Sequence, residues 1–251
     1  VFGACTRPVP ETAVDSGPVR LSPDYDSVTI PPNIAPLNVE IMTDASRYRV
    51  TFTDPLGTQL SVRVRNGKTS IPVRKWHEML KRSSGGKISV QVAYRKGAIW
   101  YRLKPGTLFV AREPVDPWVA YRLIEPGYES WNTMGIYQRN LETFEERPVM
   151  INTMSDHNCM NCHSFSKNSA ETMMFHLRAK YNGTVFHVGD STFKVNTKTD
   201  STLSAGVYPS WHPSGRYVAF SANHIVQLFH SLPGKKIEVV DTLSEIIVYD
   251  V

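Results

Sequence analysis

Polar and apolar residues alternate along segment after segment of this chain, and a period of two is the signature of half-buried β-strands. Arg47, Tyr48, Arg49, Val50, Thr51, Phe52 and Thr53 alternate in this way, and residues 60–65 and 87–94 do the same. Asn66-Gly67 follows the second run and predicts a tight turn. Arg95-Lys96-Gly97 predicts another turn, leading into a strand over 99–103. Residues 76–81 break the alternation and predict one short helix before Gly85-Gly86. The fold class is therefore mainly β. The strand spacing over 37–113 predicts an immunoglobulin- or fibronectin-like β-sandwich.

Residues 6–36 carry seven prolines among Ser and Asp, and read as an extended tether without a core of its own. Cys5 precedes this stretch and follows Gly3-Ala4. Small residues before a cysteine resemble the bacterial lipobox, where the cysteine is lipidated after cleavage of an apolar leader. Residues 1–36 are thus expected to be a lipid-anchored N-terminus and spacer, tying the protein to a membrane through Cys5. The alternative is an unpaired thiol in a disordered terminus.

Cys159-Met160-Asn161-Cys162-His163 reads C-x-x-C-H, the attachment sequence of a c-type haem. Two thiols three positions apart can each reach one vinyl group of a porphyrin, and the adjacent histidine offers an imidazole nitrogen to the iron. On this reading Cys159 and Cys162 form the thioethers and His163 is the proximal ligand of a covalent haem c. His176 is the first candidate for the distal position, then Met173 or Met174, with His157, His212 and His224 behind them. Three other readings stay open: a redox dithiol, a Cys159–Cys162 disulfide, and a zinc site using both cysteines with two of His157, His163 and His176. The flanking residues 155–158 and 164–168 look like loop.

Residues 114–152 are rich in aromatics, including Trp118, Tyr121, Tyr128, Trp131, Tyr137 and Phe144, a composition suited to packing between domains. Further on, residues 207–221 read as a strand, a Pro-Ser-Gly turn and a second strand. This stretch resembles the repeat of TolB-type β-propellers, usually worded P-x-W-S-P-D-G-x-x-I-A-F-x-S. His212 stands in place of the usual serine and Ser214 in place of the aspartate. Segments 136–141, 193–197 and 246–250 read as outermost strands of successive blades, with 237–241 as another outer strand, at a crude period of about 55 residues. A propeller needs at least about four blades. Residues 114–251 hold about two, which makes the chain a piece of a longer protein on this reading, with a C-x-x-C-H loop inserted at about 153–178.

Taken with the wording around 158–165 and 173–178, residues 115–251 resemble a family of exported Bacteroidetes proteins, TolB-like propellers with a haem-binding motif. The resemblance implies a cell-envelope location, periplasm-facing or at the surface, and protein partners.

The net charge is +5, and the basic residues are scattered along the sequence. The nearest cluster, Arg74-Lys75 with Lys81-Arg82, reads as a solvated face without a nucleic-acid motif. No apolar run is long enough to span a bilayer as a helix. There is no G-x-S-x-G, H-E-x-x-H or phosphate-binding glycine loop, so nothing points to an enzyme. The expected function is electron transfer or redox sensing by an exported, lipid-anchored haem protein with a redox or envelope partner. The rival is an envelope scaffold in which C-x-x-C-H is a disulfide or metal staple. A haem-dependent enzyme is the third possibility.

Overall fold

The structure is a computed structural model that describes residues 9–10, 13–15, 21–124, 133–234 and 238–251. Cys5, Tyr128, Trp131 and Ile237 lie outside the described residues. The described chain is mainly β, 52% strand and 9% helix. It divides into two compact units, Val1–Val119 with Arg139–Glu146, and Ala120–Gln138 with Arg147–Val251.

The N-terminal unit contains β1 (Val14–Asp15), β2 (Leu21–Ser22), β3 (Val28–Ile30), β4 (Glu40–Ile41), β5 (Arg47–Thr53), β6 (Gln59–Arg65), β7 (Lys68–Ser70), α1 (Val73–Ser83), β8 (Lys87–Lys96), β9 (Ile99–Arg102) and β10 (Gly106–Val110). The strands form one connected set in the order β1-β9-β8-β5-β6-β7-β4-β2, with β10 bridging β8 and β3. β8 pairs with β5 along one edge; along the other it pairs first with β10 and then with β9. Strands β1 to β3 lie within the Pro-rich stretch 6–36, whose described part therefore takes backbone partners from the sheet. Asn66 and Gly67 both have positive φ, the geometry of a type I′ hairpin turn.

The helix at 76–81 extends to Val73–Ser83. It buries Trp76, Met79, Leu80 and Ser83, an i, i+3, i+4, i+7 stripe. Trp76 meets Phe52 edge to face at 5.3 Å, and its indole N–H donates to the Ile34 carbonyl at 3.1 Å. The β5–β6 turn is held by Asp54, whose Oδ1 accepts the N–H groups of Leu56 and Thr58 while its Oδ2 accepts from Arg82 Nε at 2.6 Å.

The C-terminal unit is built on three sheets. The first has β11 (Trp118–Ile124), β12 (Met134–Asn140) and β13 (Glu146–Ile151). The second is a four-stranded antiparallel meander of β14 (Met160–Phe165), β15 (Thr172–Leu177), β16 (Gly183–Val188) and β17 (Ser191–Val195). The third has β18 (Val207–Trp211), β19 (Tyr217–Leu228) and β20 (Glu238–Asp250).

The strand–turn–strand expected over 207–221 is β18, a turn with Gly215 at φ 78°, and β19. Residues 238–241 and 246–250, expected in separate segments, belong instead to one strand, β20, paired along the whole of β19. Likewise 136–141 is the central strand of its sheet, not the outermost, whereas β17 and β20 do lie at edges.

Alternation on β15 divides this unit's core in two. Met173, Phe175 and Leu177 join Met134, Ile136 and Met160 in one cluster. Met174 joins Phe186, Val218 and Phe220 in the other.

Candidate cofactor site

The C-x-x-C-H segment lies on β14 from Met160 onward, with Cys159 directly before the strand. Met160 pairs with Leu177 and Asn161 with His176; pairing then resumes at Ser164 opposite Met174. Cys162 and His163 therefore stand against the single residue Phe175, which makes a β-bulge. Bulges re-aim side chains and gather beside functional sites. Cys162 has φ 53°, a conformation costing a β-carbon-bearing residue about 1–2 kcal/mol.

Three groups of contacts hold this shape. Asn161 Oδ1 accepts both the Cys162 N–H at 2.8 Å and Arg122 Nη1 at 2.5 Å, so the bulge is tied to β11. Two residues back along β11, the Ala120 backbone raises the proton affinity of the His163 ring. Upstream, Asn158 Oδ1 accepts the Lys180 N–H at 3.1 Å, and Asp156 binds Lys180 Nζ at 2.9 Å and the Tyr181 hydroxyl at 2.7 Å. The segment entering the motif is thereby pinned to the 179–181 turn. Lys180 and Tyr181 hold the Asp156 carboxyl below its usual range.

Both cysteines are free thiols, partly exposed. Cys159 borders the cluster of Met160, Met173 and Phe175. His163 is half-buried, its ring edge-on to Phe165 at 6.2 Å. Burial pushes its pKa below 6.5, outweighing the raising effect of the Ala120 backbone, and the Arg122 charge lowers it further. His163 is thus a neutral imidazole at neutral pH. A neutral imidazole keeps a nitrogen lone pair, the form in which histidine ligates metals.

The sequence-nominated distal ligands are dispersed. Met173 packs in the cluster that Cys159 and Phe165 border. Met174 lies in the other cluster. His176, 4% exposed, has its ring 5.7 Å from Phe220 of that second cluster. Its Nδ1 shares a hydrogen bond with Thr184 Oγ1 at 2.9 Å, and its Nε2 is buried with no hydrogen-bond partner among the described residues. Burial, aided by the Arg178 charge, pushes its pKa down to about 4. His176 also lines a cavity of about 270 Å³ with Thr184, Thr197, Ser204 and Asn223.

His212 closes its own turn, where Nδ1 accepts the Ser214 N–H at 3.1 Å. His224 Nδ1 bonds Thr242 Oγ1. His157 sits at φ 58° directly before the motif. Among the described residues, no three His, Cys, Asp or Glu side chains converge to hold a metal ion.

The donor chemistry fits a covalent haem: two reduced thiols and a neutral, half-buried imidazole on one short segment. Arg122 and Ala120 are the residues that sequence reasoning missed. An arginine inside the apolar run 118–124 is the one hint the sequence offers. No family model matches the chain, and no curated protein matches it.

Proposed function

We propose that this chain is an exported, lipid-anchored c-type haem protein serving electron transfer or redox sensing in the cell envelope. The observation that carries this reading is the bulged C-x-x-C-H segment, with two free thiols and a half-buried His163 ring edge-on to Phe165. A haem bound there supplies a one-electron redox couple. The protein's own residues divide the remaining work. Cys159 and Cys162 attach the group, and His163 presents its free nitrogen. Arg122 and Asn161 hold the bulge, and Met173 and Phe165 form an apolar wall beside Cys159. Of the three distal candidates, Met173 shares a cluster with the motif's surroundings, which ranks it above His176 and Met174 in this fold.

A disulfide staple fits the geometry poorly. Met160 and Asn161 are extended in the ladder, and Cys159 accepts the next ladder bond from Arg178. At about 3.3 Å per residue, the two cysteine Cα atoms stand about 10 Å apart, beyond the roughly 7 Å that a disulfide spans.

We read the N-terminal unit as an immunoglobulin- or fibronectin-like sandwich, because eight of its ten strands, β2 to β6 and β8 to β10, contribute to one core. We read the antiparallel sheets of the C-terminal unit as TolB-like propeller blades. A second reading, an envelope scaffold, draws on the distal half of the β19–β20 ribbon, where Ile225, Leu228, Val239 and Leu243 are exposed.

A pyridine haemochrome spectrum decides between the two. The protein is exported from a host with cytochrome c maturation machinery. A c-type spectrum that is lost in Cys159→Ala and Cys162→Ala is the expected result. No covalent haem under those conditions overturns the haem reading and leaves the scaffold.

A further inference from the structure

The strands of the N-terminal unit bring together basic residues that are scattered in the sequence. Along β5 the core takes Val50 and Phe52, so Arg47 and Arg49 fall on the opposite face. β6 repeats the pattern: Leu60 and Val62 face the core, and Arg63 and Arg65 face away. On β8, Arg95 lies directly opposite Arg47 and, on its other side, opposite Trp100 of β9. At the end of the sheet where these residues gather, an open groove of about 1430 Å³ is lined by Arg47, Arg49, Arg65, Arg95 and Trp100, together with the core-side Tyr48 and Val64.

Like charges directly opposite one another destabilise a sheet, and among the described residues no carboxylate lies within ion-pair distance of Arg47, Arg63, Arg65 or Arg95 to relieve them. The nearest polar partner of Arg95 is the Ser46 hydroxyl at 3.5 Å. Guanidinium groups form planar forks that match carboxylates two bonds at a time, and Arg with Trp are the side chains that anchor protein interfaces.

We infer that this groove binds an acidic, extended segment of a partner protein. Shape and composition favour that occupant over the other anions. The surface is concave, which suits one extended strand better than a planar layer of anionic headgroups, and of the two carboxylates on its lining, Glu40 and Asp44, Glu40 is paired with Lys68 at 3.8 Å. Trp100 is the one aromatic ring available for stacking, because the Tyr48 hydroxyl is tied to the Thr43 carbonyl and its ring packs on the core. Single-stranded nucleic acid uses a row of such rings. The inference does not depend on the haem reading.

The test is fluorescence anisotropy of a short labelled peptide rich in Asp and Glu, titrated with the full chain. Binding at low ionic strength that weakens as salt is added is expected. An Arg47→Glu, Arg65→Glu double variant should bind about tenfold more weakly, and Arg74→Glu, on α1, should bind as the parent does. The double variant keeps the fold because Arg47→Glu places opposite charges at the Arg47–Arg95 position; its thermal melt checks this. No binding at low salt, or equal binding by the double variant, overturns the inference. So does tighter binding to a single-stranded oligonucleotide or to phosphatidylglycerol vesicles, which would assign the groove to a nucleic acid or a membrane.

Discussion

Acid should weaken the C-terminal unit chiefly through one side chain, His176. It is 4% exposed and neutral in the folded state, with a pKa near 4 against 6.5 for the free side chain. The unfolded chain takes up a proton as pH falls through 6.5, while the folded chain resists until about pH 4. Stability is therefore full above pH 6.5 and is lost progressively as pH falls between the two values. The whole gap corresponds to about 3 kcal/mol, of which about 2 kcal/mol is gone by pH 5. Asp156 and Asp250, whose folded values are lowered, act only below about pH 4 and stay out of this window. His163 is also lowered and contributes in the same direction, so the decisive comparison is with a variant. His176→Asn keeps an amide where Nδ1 meets Thr184 and removes the titration. Urea unfolding read by hydrogen exchange over residues 172–188 reports this unit alone. The parent should lose about 2 kcal/mol more than the variant between pH 7 and pH 5. Equal losses would refute a buried, neutral His176.

Three further outcomes follow from the contacts. Arg122→Leu should destabilise the bulge by about 1–3 kcal/mol by removing the charged donor that shares Asn161 Oδ1 with the Cys162 N–H, read as faster exchange in β14, and should lower the yield of attached haem in the maturation host. Asp54→Asn should cost about 2–3 kcal/mol in a denaturant melt, since Arg82 and two turn amides all depend on that carboxylate. Burial alone would raise the Asp54 pKa, but the Arg82 bond and the turn amides lower it, so its contribution holds above about pH 4 and falls away in stronger acid. Trp76→Ala, which empties a fully buried site between α1 and the sheet, should cost about 3–5 kcal/mol by the same melt.

The alternating strands β5, β6 and β8, the Asn66-Gly67 turn and α1 were readable because each is a local pattern with one physical solution. The motif strand was not, for a reason visible in the register. Met160 and Phe165 both pack in the same cluster, yet five positions separate them. In a regular strand that odd spacing would send them to opposite faces. The extra residue at the bulge restores the phase against Leu177 and Met173, four positions apart on β15. A period-two reading therefore sees no strand at 160–165. The basic groove was hidden differently. Arg47 and Arg65 meet Arg95 only through the β6-β5-β8 order, and strand order is non-local information. The β11 clamp, Ala120 and Arg122 on the motif, was hidden for the same reason. Placement of His176 was legible only as a nearby residue; which core it joins depends on the parity of β15.

The extended path from Cys159 to Cys162 also governs how the protein behaves on the bench. Neighbouring thiols in a tight turn protect one another, because oxidation closes a small ring that a reductant reopens. A strand denies these two that escape. Exposed to air without haem, and with Cys5 lipidated, each thiol must travel the oxidation ladder alone or find a sulfur on another molecule. Apo-protein stored without reductant should accumulate covalent multimers on a non-reducing gel, and thioether attachment should abolish them. Loss of material to crosslinking then becomes an inexpensive gauge of how completely a preparation was matured.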